Sequence, residues 1–368
     1  MSAPILRRRL QQVALCFFSP ARARRFRSDA ALKAVAKARE DGIRNLILYN
    51  YPSFSGAFSA LFAHRFHSRL CLPFLVLPYS SAVPLRAEDL YIEGLQRCYL
   101  LDFAGPRGFA AQISRQSMCE VIAFEHRKSA ISRIRSPDDD GQPSVRICVD
   151  HEKSSSRAAY NYFADKLAEE CKLSEDHVAK LLNAEDEARV ETILSYIEDS
   201  DLLRWSLPDV RAFNIGFSEW RQRINCITNP YMFEELLELT AADLIAKGNS
   251  HISSDRDAAT KLLDTVFQVR LGRGFYGECL GVRADGNSKL SELLGKELSV
   301  RSAAVGLRPI GAVVYMHRNN LKMCLRSTDA STDTSEVAKA YGGGGSPSSS
   351  SFMIRMDEYN QWLSANSS

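Results

Sequence analysis

The sequence lacks the patterns that mark several large protein classes. Its nine cysteines include no Cys-x-x-Cys pair, and an odd number without disulfide or zinc spacing predicts a reducing compartment and mostly buried thiols. No secretory hydrophobic core is present, and no apolar run approaches the ~20 residues that a membrane-spanning helix needs. The sequence therefore predicts neither a disulfide scaffold, nor a zinc site, nor a transmembrane segment.

Acidic residues are also absent before Asp29. The seven arginines of this segment are Arg7, Arg8, Arg9, Arg22, Arg24, Arg25 and Arg27, with apolar residues between them. Such arginine-rich, acid-free and potentially amphipathic composition is typical of a mitochondrial transit peptide, so residues 1–28 are predicted to direct the protein to mitochondria. The alternative is an exposed basic arm that binds RNA or an anionic surface.

The charge of the remaining chain bears on its partners. Removal of those seven arginines changes the formal net charge from +3 to −4, so the mature protein has no overall basic charge that would support nucleic-acid binding. With 368 residues, 45% hydrophobic and 25% charged, the composition is that of an ordinary globular protein with room for two domains.

Four short apolar runs have the length and composition of buried parallel strands. They lie at residues 45–49, 72–77, 98–103 and 120–124, with helix-length stretches such as 57–69 between them. This pattern predicts an α/β domain with a doubly wound, mostly parallel sheet in residues 29–211.

A helical stretch at 158–197 follows, with polar breaks near Ser174, a plausible N-cap, and Glu185. Residues 212–271 are mainly helical and charged, which predicts a helical connector with amphipathic helices at 232–246 and 258–270. A smaller α/β domain is predicted at 272–368. Its expected strands are 277–282, 311–315 and 321–326, and its expected helix is 289–302.

A group of charged residues lies where the fourth apolar run ends. Glu125 and His126 offer the carboxylate and imidazole ligands that Mn²⁺-type ions use, and strand ends are where an open α/β sheet presents its site residues. Arg127 follows directly. Guanidinium has no lone pair and stays protonated, so Arg127 should repel a divalent ion.

Six segments, in order along the chain, resemble motifs of the DHH phosphoesterase superfamily, most closely its eukaryotic members with a DHH-associated C-terminal domain. The segments are 49–58, 99–103, 125–127, 160–163, 196–202 and 342–345, the last followed by 350–353. The resemblance covers residues from about 45 to 362. It implies a two-metal phosphoesterase ancestry and a second domain that closes over the first and grips substrate.

Carried over position by position, the resemblance implies a degenerate metal site. The family's histidine and aspartate in the first segment are Asn50 and Ser55 here, and Arg127 stands where a histidine is expected. Asp102 matches the bridging carboxylate, and Asp199 matches a further ligand, with Asp201 close by. The vestigial metal-site positions are Asn50, Ser55, Asp102, Glu125, His126, Arg127 and Asp199, of which His126 matches and Glu125 is one methylene longer than the family's aspartate.

Each surviving residue also has a purely structural interpretation. Asp102 could cap the turn at Gly105, and His126 could be a satisfied interior histidine. Asp199 and Asp201 could belong to a solvated acidic turn.

In the second domain, Arg326 matches a basic position after a strand where a guanidinium can pair with phosphate. Gly343, Gly344 and Gly345 match a glycine run whose N–H groups can approach an anion, but the family's following histidine is Ser346 here. The alternatives are a solvated arginine and a loop without ligand.

These observations predict a catalytically inactive DHH-type protein, without metal or cofactor, that serves as a structural or interaction subunit of a larger mitochondrial assembly. One alternative is a phosphate or nucleotide binding module that uses Arg127 and Arg326. The other is a residual phosphodiesterase with one Mn or Mg ion on Asp102, His126 and Asp199. Aromatic residues predicted to supply the surface for the protein partners are Trp205, Trp220, Tyr231, Phe233 and Trp362.

Overall fold

Buried parallel strands form the centre of the N-terminal half, as their apolar sequences predict. The computed structural model describes residues 28–130, 144–173 and 180–363. It divides into two compact units between Asn249 and Ser250. The predicted segment 1–28 lies outside the described residues except for Ser28, which caps the first helix.

The first unit contains a five-stranded sheet in which every neighbouring pair is parallel. Its strands are β1 (Asn45–Asn50), β2 (Phe74–Tyr79), β3 (Arg97–Leu101), β4 (Glu120–Glu125) and β5 (Val145–Val149). The strand order is β2-β1-β3-β4-β5. This arrangement confirms the predicted parallel α/β sheet.

Helices cover both faces of this sheet. They are α1 (Asp29–Glu40), α2 (Phe54–Arg69), α3 (Phe109–Ser117), α4 (Ser155–Leu173), α5 (Ala184–Asp201), α6 (Val210–Ser218), α7 (Met232–Glu238) and the start of α8 (Ala241–Leu263). Alternate residues of one strand enter different cores: Ile47 packs with Phe58 of α2 and Phe163 of α4, whereas Leu46 packs with Val35 of α1. The sheet is thus enclosed between two apolar layers.

The segment predicted as a connector does not form a separate body in this structure. Phe213 and Phe217 of α6 belong to the core of the first unit. A Cβ atom at Gly248 would lie 1.8 Å from the backbone oxygen of Ala212, so glycine is what lets α8 pack directly on α6. The predicted helix at 232–246 is two helices, because Leu239 is extended and Thr240 caps the second through the Asp243 N–H at 3.1 Å.

The second unit contains a six-stranded mixed sheet, with the order β10-β11-β9-β8-β7-β6. Its strands are β6 (Phe267–Arg270), β7 (Glu278–Arg283), β8 (Gly311–His317), β9 (Asn320–Arg326), β10 (Gly344–Ser346) and β11 (Ser349–Ile354), and its helices are α9 (Ser291–Ala304), α10 (Ser335–Ala340) and α11 (Met356–Trp362). The smaller α/β unit is therefore confirmed. The helix predicted at 258–270 is wrong in its second half, because Phe267–Arg270 pairs with β7 as a strand.

Two further predictions concern helix limits and membranes. The helix break predicted near Glu185 is present, and α5 begins after Asn183, whose side chain accepts from the Asp186 N–H at 2.7 Å. The N-cap predicted at Ser174 lies outside the described residues. Among the described helices, none is long and apolar enough to cross a membrane.

Candidate functional site

Three predicted site residues of the first unit lie at the carboxyl ends of three adjacent strands. Asn50 ends β1, Asp102 directly follows β3, and Glu125 ends β4. Because neighbouring parallel strands end at the same edge of the sheet, these side chains share one location. The six motif segments of the sequence therefore include three that the fold brings together.

Asp102 lies at the centre of the group. Its side chain is 2% exposed, and its backbone adopts a left-handed conformation with φ of 65°, which a non-glycine residue rarely does outside constrained sites. Its Oδ2 atom accepts hydrogen bonds from Asn50 Nδ2 at 3.0 Å and Ser53 Oγ at 2.5 Å. The hydroxyl of Ser53 is also the N-cap of α2.

The other oxygen of Asp102 faces an imidazole and a guanidinium. Oδ1 lies 3.4 Å from His126 Nδ1 and 3.6 Å from the guanidinium of Arg127, but no hydrogen bond to it is formed within the described residues. Burial raises the pKa of Asp102, but the contact with His126 and the charge of Arg127 outweigh this effect and lower it. Asp102 is therefore held as a carboxylate.

Glu125 is fully engaged by the residues that follow it. Its Oε1 atom accepts the backbone N–H groups of His126 and Arg127, each at 3.0 Å, and Arg127 Nε at 2.8 Å. Its Oε2 atom accepts from Arg127 Nη2 at 3.2 Å. The Arg127 guanidinium thus binds both oxygens of this buried carboxylate.

Arg127 connects the ends of two strands. Besides Glu125, it donates to the backbone oxygen of Asp102. Burial lowers the pKa of its guanidinium, but the bond to Glu125 and the charge of Asp102 more than compensate and raise it. The side chain is 44% exposed. Arg127 is therefore a permanently charged group that lies against both carboxylates and still faces solvent.

His126 is buried beneath this contact. Its Nδ1 atom lies 3.0 Å from Ser155 Oγ, at the start of α4, and its backbone oxygen accepts from His151 Nδ1 at 3.0 Å. Burial lowers the pKa of His126, but the contact with Asp102 and the charge of Asp201 raise it overall. The residue therefore serves both as a satisfied interior histidine and as a partner of the central carboxylate.

The structure corrects the choice of acidic residue on α5. Asp199 points away from the group: its carboxylate accepts the Ser206 N–H at 3.0 Å, the Ser206 hydroxyl at 2.5 Å and the Leu207 N–H at 3.4 Å. Burial raises the pKa of Asp199, but these bonds lower it overall. Asp199 therefore fixes the loop after α5.

Asp201, and not the predicted Asp199, is the residue of α5 that interacts with Asp102 and His126. Burial, followed by the charge of Asp102, raises the pKa of Asp201 to about 7, and its carboxyl group interacts with Ser55 and His126. Its Oδ2 atom is buried without a hydrogen-bond partner among the described residues. Ser55 also accepts the Ser156 N–H at 3.0 Å. The motif comparison missed Ser53 and Ser155; Ser53 could have been recognised as a serine just before a helix, which is an N-cap signal.

An open cleft lies beside the group. Its volume is about 540 Å³, and its walls include Asn50, Tyr79, Phe103, Gly105, Glu125 and Arg127. The Arg127 guanidinium in this wall binds Glu125 and lies 3.6 Å from Asp102, and the charge of Asp201 also acts on it. Arg127 directs Nε and Nη2 at Glu125 and at the backbone oxygen of Asp102, so these two donor atoms are not available to an anion in the cleft.

The residues present do not fit a two-metal centre. Asp102, Glu125 and His126 each offer a ligand atom, and these atoms lie within 4.8 Å of one another. However, Asn50 directs an N–H group at Asp102, and the positive charge of Arg127 lies on the other side. For a second metal, Asn50 and Ser55 offer only an amide and a hydroxyl, where the family pattern implies an imidazole and a carboxylate.

The predicted phosphate-binding residues of the second unit have structural contacts. Arg326 donates from Nη1 to the backbone oxygens of Leu325 at 3.0 Å and Ser350 at 3.5 Å. A Cβ atom at Gly343 would lie 2.2 Å from the backbone oxygen of Ser351, and one at Gly345 would lie 2.3 Å from that of Ser349. The tight hairpin of β10 and β11 therefore accounts for Gly343 and Gly345, and only Gly344 has open space around it.

No protein-family model and no curated protein matches this sequence. Solved structures that match along most of the chain include manganese-bound exonuclease RecJ, with 14% identity over 90% of this chain and 92% of that one and a TM-score of 0.37. An exopolyphosphatase-related protein from Bacteroides fragilis has 12% identity over 91% and 94%, with a TM-score of 0.35. CDC45 from Entamoeba histolytica has 10% identity over 92% and 98%, with a TM-score of 0.37.

Since every TM-score is far below 0.5, the properties of the site follow from this chain's own residues. Each of the two units contains its own sheet.

Proposed function

We propose that this protein is a catalytically inactive DHH-type protein that contributes a binding surface to a larger mitochondrial assembly. The observation that carries the proposal is the position of Arg127. Its guanidinium binds both oxygens of Glu125 and lies 3.6 Å from Asp102 Oδ1. The guanidinium belongs to the chain and cannot dissociate as a metal ion can. It thus binds the carboxylates that a metal-dependent enzyme would need for its ions.

The loss of activity follows from the mechanism that such a site would use. A two-metal phosphoesterase holds its ions roughly 3.5–4 Å apart and uses both to stabilise the attacking and leaving oxygens. Here Asn50 is a hydrogen-bond donor to Asp102, and Ser55 binds the start of α4. Neither residue supplies the ligand of the ancestral pattern.

Elemental analysis and a hydrolysis assay test this part of the proposal. The purified chain should hold no stoichiometric Mn²⁺ after exposure to the metal and gel filtration, and it should not hydrolyse short oligonucleotides or a generic phosphodiester. About two bound ions per chain, with hydrolysis, would overturn the proposal. The alternative of one Mn or Mg ion draws support from the close approach of Asp102, Glu125 and His126, and one tight ion would favour it.

Exposed apolar side chains support a binding role. Of the aromatic residues predicted to contact partners, Phe233 and Trp362 are core residues, so they are not available. Trp205 and Tyr231 are 54% and 69% exposed, and Leu203 is 70% exposed. Such aromatic residues are enriched in the cores of protein interfaces.

The loop that presents Trp205 is held in a costly conformation. Leu203 and Trp205 both have positive φ angles, of 55° and 52°, which cost roughly 1–2 kcal/mol each in non-glycine residues. The buried carboxylate of Asp199 fixes the loop through Ser206, and Arg204 donates to the Glu152 backbone oxygen at 2.7 Å. A fixed, exposed tryptophan is consistent with a preorganised contact.

Fractionation of mitochondrial extract by size tests the assembly. The native protein should elute well above the 41.1 kDa of one chain, and a Trp205→Ala/Tyr231→Ala variant should shift toward that size. Met118→Ala is the control, because Met118 is 88% exposed and also has a positive φ angle of 52°. Elution of the wild-type chain as a monomer or simple dimer under gentle extraction would contradict the proposal.

Mitochondrial targeting is a separate part of the proposal, supported by the composition of residues 1–28. The N-terminus of the protein isolated from cells should lie between about Arg27 and Ala34, where the acid-free arginine spacing ends. An uncleaved N-terminus, or a protein found only in cytosol, would favour the basic-arm alternative.

A further inference from the structure

We infer that Arg127 is a built-in cation that blocks a latent site for a single divalent metal ion formed by Asp102, Glu125 and His126. The inference rests on the proposed loss of metal-dependent activity and goes beyond it, because it states that the three remaining ligands can still bind one ion once the guanidinium is removed.

The three potential ligands are already arranged for one ion. Their ligand atoms lie within 4.8 Å of one another, and the residues are buried, at 1%, 3% and 9% exposure. Asp102 Oδ1 has no hydrogen-bond partner among the described residues. Buried carboxylates without full satisfaction are costly, and a cation is the group that would satisfy them.

Arg127 takes the position of that cation. It contacts Asp102 Oδ1 at 3.6 Å and binds Glu125 Oε2 at 3.2 Å. In the described part of the chain, Oε2 has no other hydrogen-bond donor, whereas Oε1 also accepts two backbone N–H groups. Removal of the guanidinium would therefore leave one available oxygen on each carboxylate.

The charge around Arg127 favours a divalent ion over the arginine. One guanidinium charge faces Asp102 and Glu125 directly, and Asp201 acts on the same group through its charge. Two carboxylates and an imidazole are ligands that suit Mn²⁺ and Zn²⁺. Because the Arg127 side chain is 44% exposed and borders the open cleft, its truncation would open a path from solvent to the ligands.

The experiment compares Mn²⁺ binding to the wild-type chain and to Arg127→Ala, by calorimetric titration and by the thermal unfolding midpoint with and without Mn²⁺. Arg127→Ala should bind about one ion per chain, roughly tenfold or more tightly than the wild type, because a unit charge at about 4 Å is worth at least that factor at protein surfaces. Its unfolding midpoint should rise with Mn²⁺, as ligand linkage requires.

Two control variants define the site. Arg127→Lys keeps the positive charge and should bind as weakly as the wild type. Arg127→Ala/Glu125→Gln removes one ligand and should lose most of the gained affinity. If Arg127→Ala does not fold, Arg127→Met is used in its place, because methionine retains an apolar stem of similar length without the charge.

The outcomes separate this inference from the proposed function. A folded Arg127→Ala or Arg127→Met chain without Mn²⁺ binding overturns the inference and leaves the proposed inactivity intact. Equal, tight binding by the wild type also overturns it, and accompanying phosphodiester hydrolysis would overturn the proposed function as well. Failure of both variants to fold even with Mn²⁺ present would count against the inference. If the site were usable, bound Mn²⁺ would replace the positive charge of the guanidinium and stabilise the fold.

Discussion

Asn50 Nδ2 donates a 3.0 Å hydrogen bond to Asp102 Oδ2. Asn50, which the sequence comparison predicts to stand in place of a metal ligand, is thus a hydrogen-bond donor to the central carboxylate. Ser53 donates to the same oxygen at 2.5 Å. The two donors stabilise the buried negative charge of Asp102 from the side opposite Arg127. The residues of the site are therefore held together by hydrogen bonds and an ion pair between side chains.

Replacement of Asn50 with aspartate should destabilise the fold at neutral pH. Asn50→Asp is nearly isosteric but turns the donor into a second carboxylate against Asp102, at a cost of about 1–3 kcal/mol for a buried group left without its partner. Urea unfolding at pH 7 with a chelator present measures the change. Asn320→Asp, at the exposed start of β9, is the control and should stay within about 0.5 kcal/mol of the wild type. Equal stability of both variants would show that the Asn50 bond contributes nothing.

Loss of Arg127 should cost more than loss of a surface arginine. Arg127→Ala leaves the carboxylate of Glu125 and one side of Asp102 without their cation, which should lower the free energy of unfolding by about 2–4 kcal/mol, somewhat less than for a fully buried pair. Arg146, whose side chain is 61% exposed, lies 3.5 Å from Glu120 and provides the matched control. Arg146→Ala should cost about 0–1 kcal/mol. Similar losses in metal-free denaturant unfolding would contradict the central role of Arg127.

The central parallel strands β1, β3 and β4 could be predicted because they are buried on both faces. The run predicted at 120–124 is observed as Glu120–Glu125, and its residues from Val121 onward are buried. In contrast, β5 was not predicted. Its residues are only partly buried, and it pairs with β4 alone at the sheet edge, so no continuous apolar run marks it.

The site could be predicted as far as the strand ends but not on the helix. Asn50, Asp102 and Glu125 meet because adjacent strands end together, which the strand assignment already implies. Asp199 and Asp201 differ by about 200° around α5 at 100° per residue, so the choice between them depends on how the helix is rotated against the sheet. The sequence contains both carboxylates, but the rotation of α5 against the sheet could not be predicted from it.

His67 should make the fold sensitive to mild acid. Burial lowers the pKa of its imidazole to about 4, partly offset by the bond to the Ala63 backbone oxygen. The unfolded chain takes up the proton near pH 6.5 and the folded chain does not, so stability is lost as pH falls from about 6.5 to about 4. The loss should reach about 3 kcal/mol in total.

Replacement of His67 tests this dependence. His67→Phe fits among the neighbouring aromatic rings of Phe74, Tyr99 and Phe163 and removes the titrating group. As pH falls from 6.5 to 4, the unfolding free energy of the wild type should therefore decrease relative to that of the variant. Phe62→Leu, in the same core, is the control, since its cost should not vary with pH. A difference that stays constant with pH would reject the assignment to His67.

The glycine run of the second unit offers a paired test of its structural role. Gly343→Ala would place a Cβ atom 2.2 Å from the Ser351 backbone oxygen, whereas Gly344→Ala meets nothing within 4 Å. Backbone must move in the first case, so Gly343→Ala should lower the free energy of unfolding by about 1–3 kcal/mol. Gly344→Ala should be neutral or stabilise by up to about 1 kcal/mol, because alanine restricts the unfolded chain.

Hydrogen exchange of β9 and β11, together with denaturant unfolding of the full chain, measures both glycine variants. Faster exchange in these strands for Gly343→Ala alone is the expected result, since β11 pairs with β9 from Ser349 to Ile354 and the Gly343 N–H bonds to the Ala338 backbone oxygen at 2.8 Å. If Gly344→Ala is the more disruptive change, close packing in the hairpin is not the reason for the run. A calorimetric titration with inorganic phosphate would then be the decisive comparison, because loss of binding in Gly344→Ala, where the backbone is otherwise unobstructed, would restore the anion-binding interpretation.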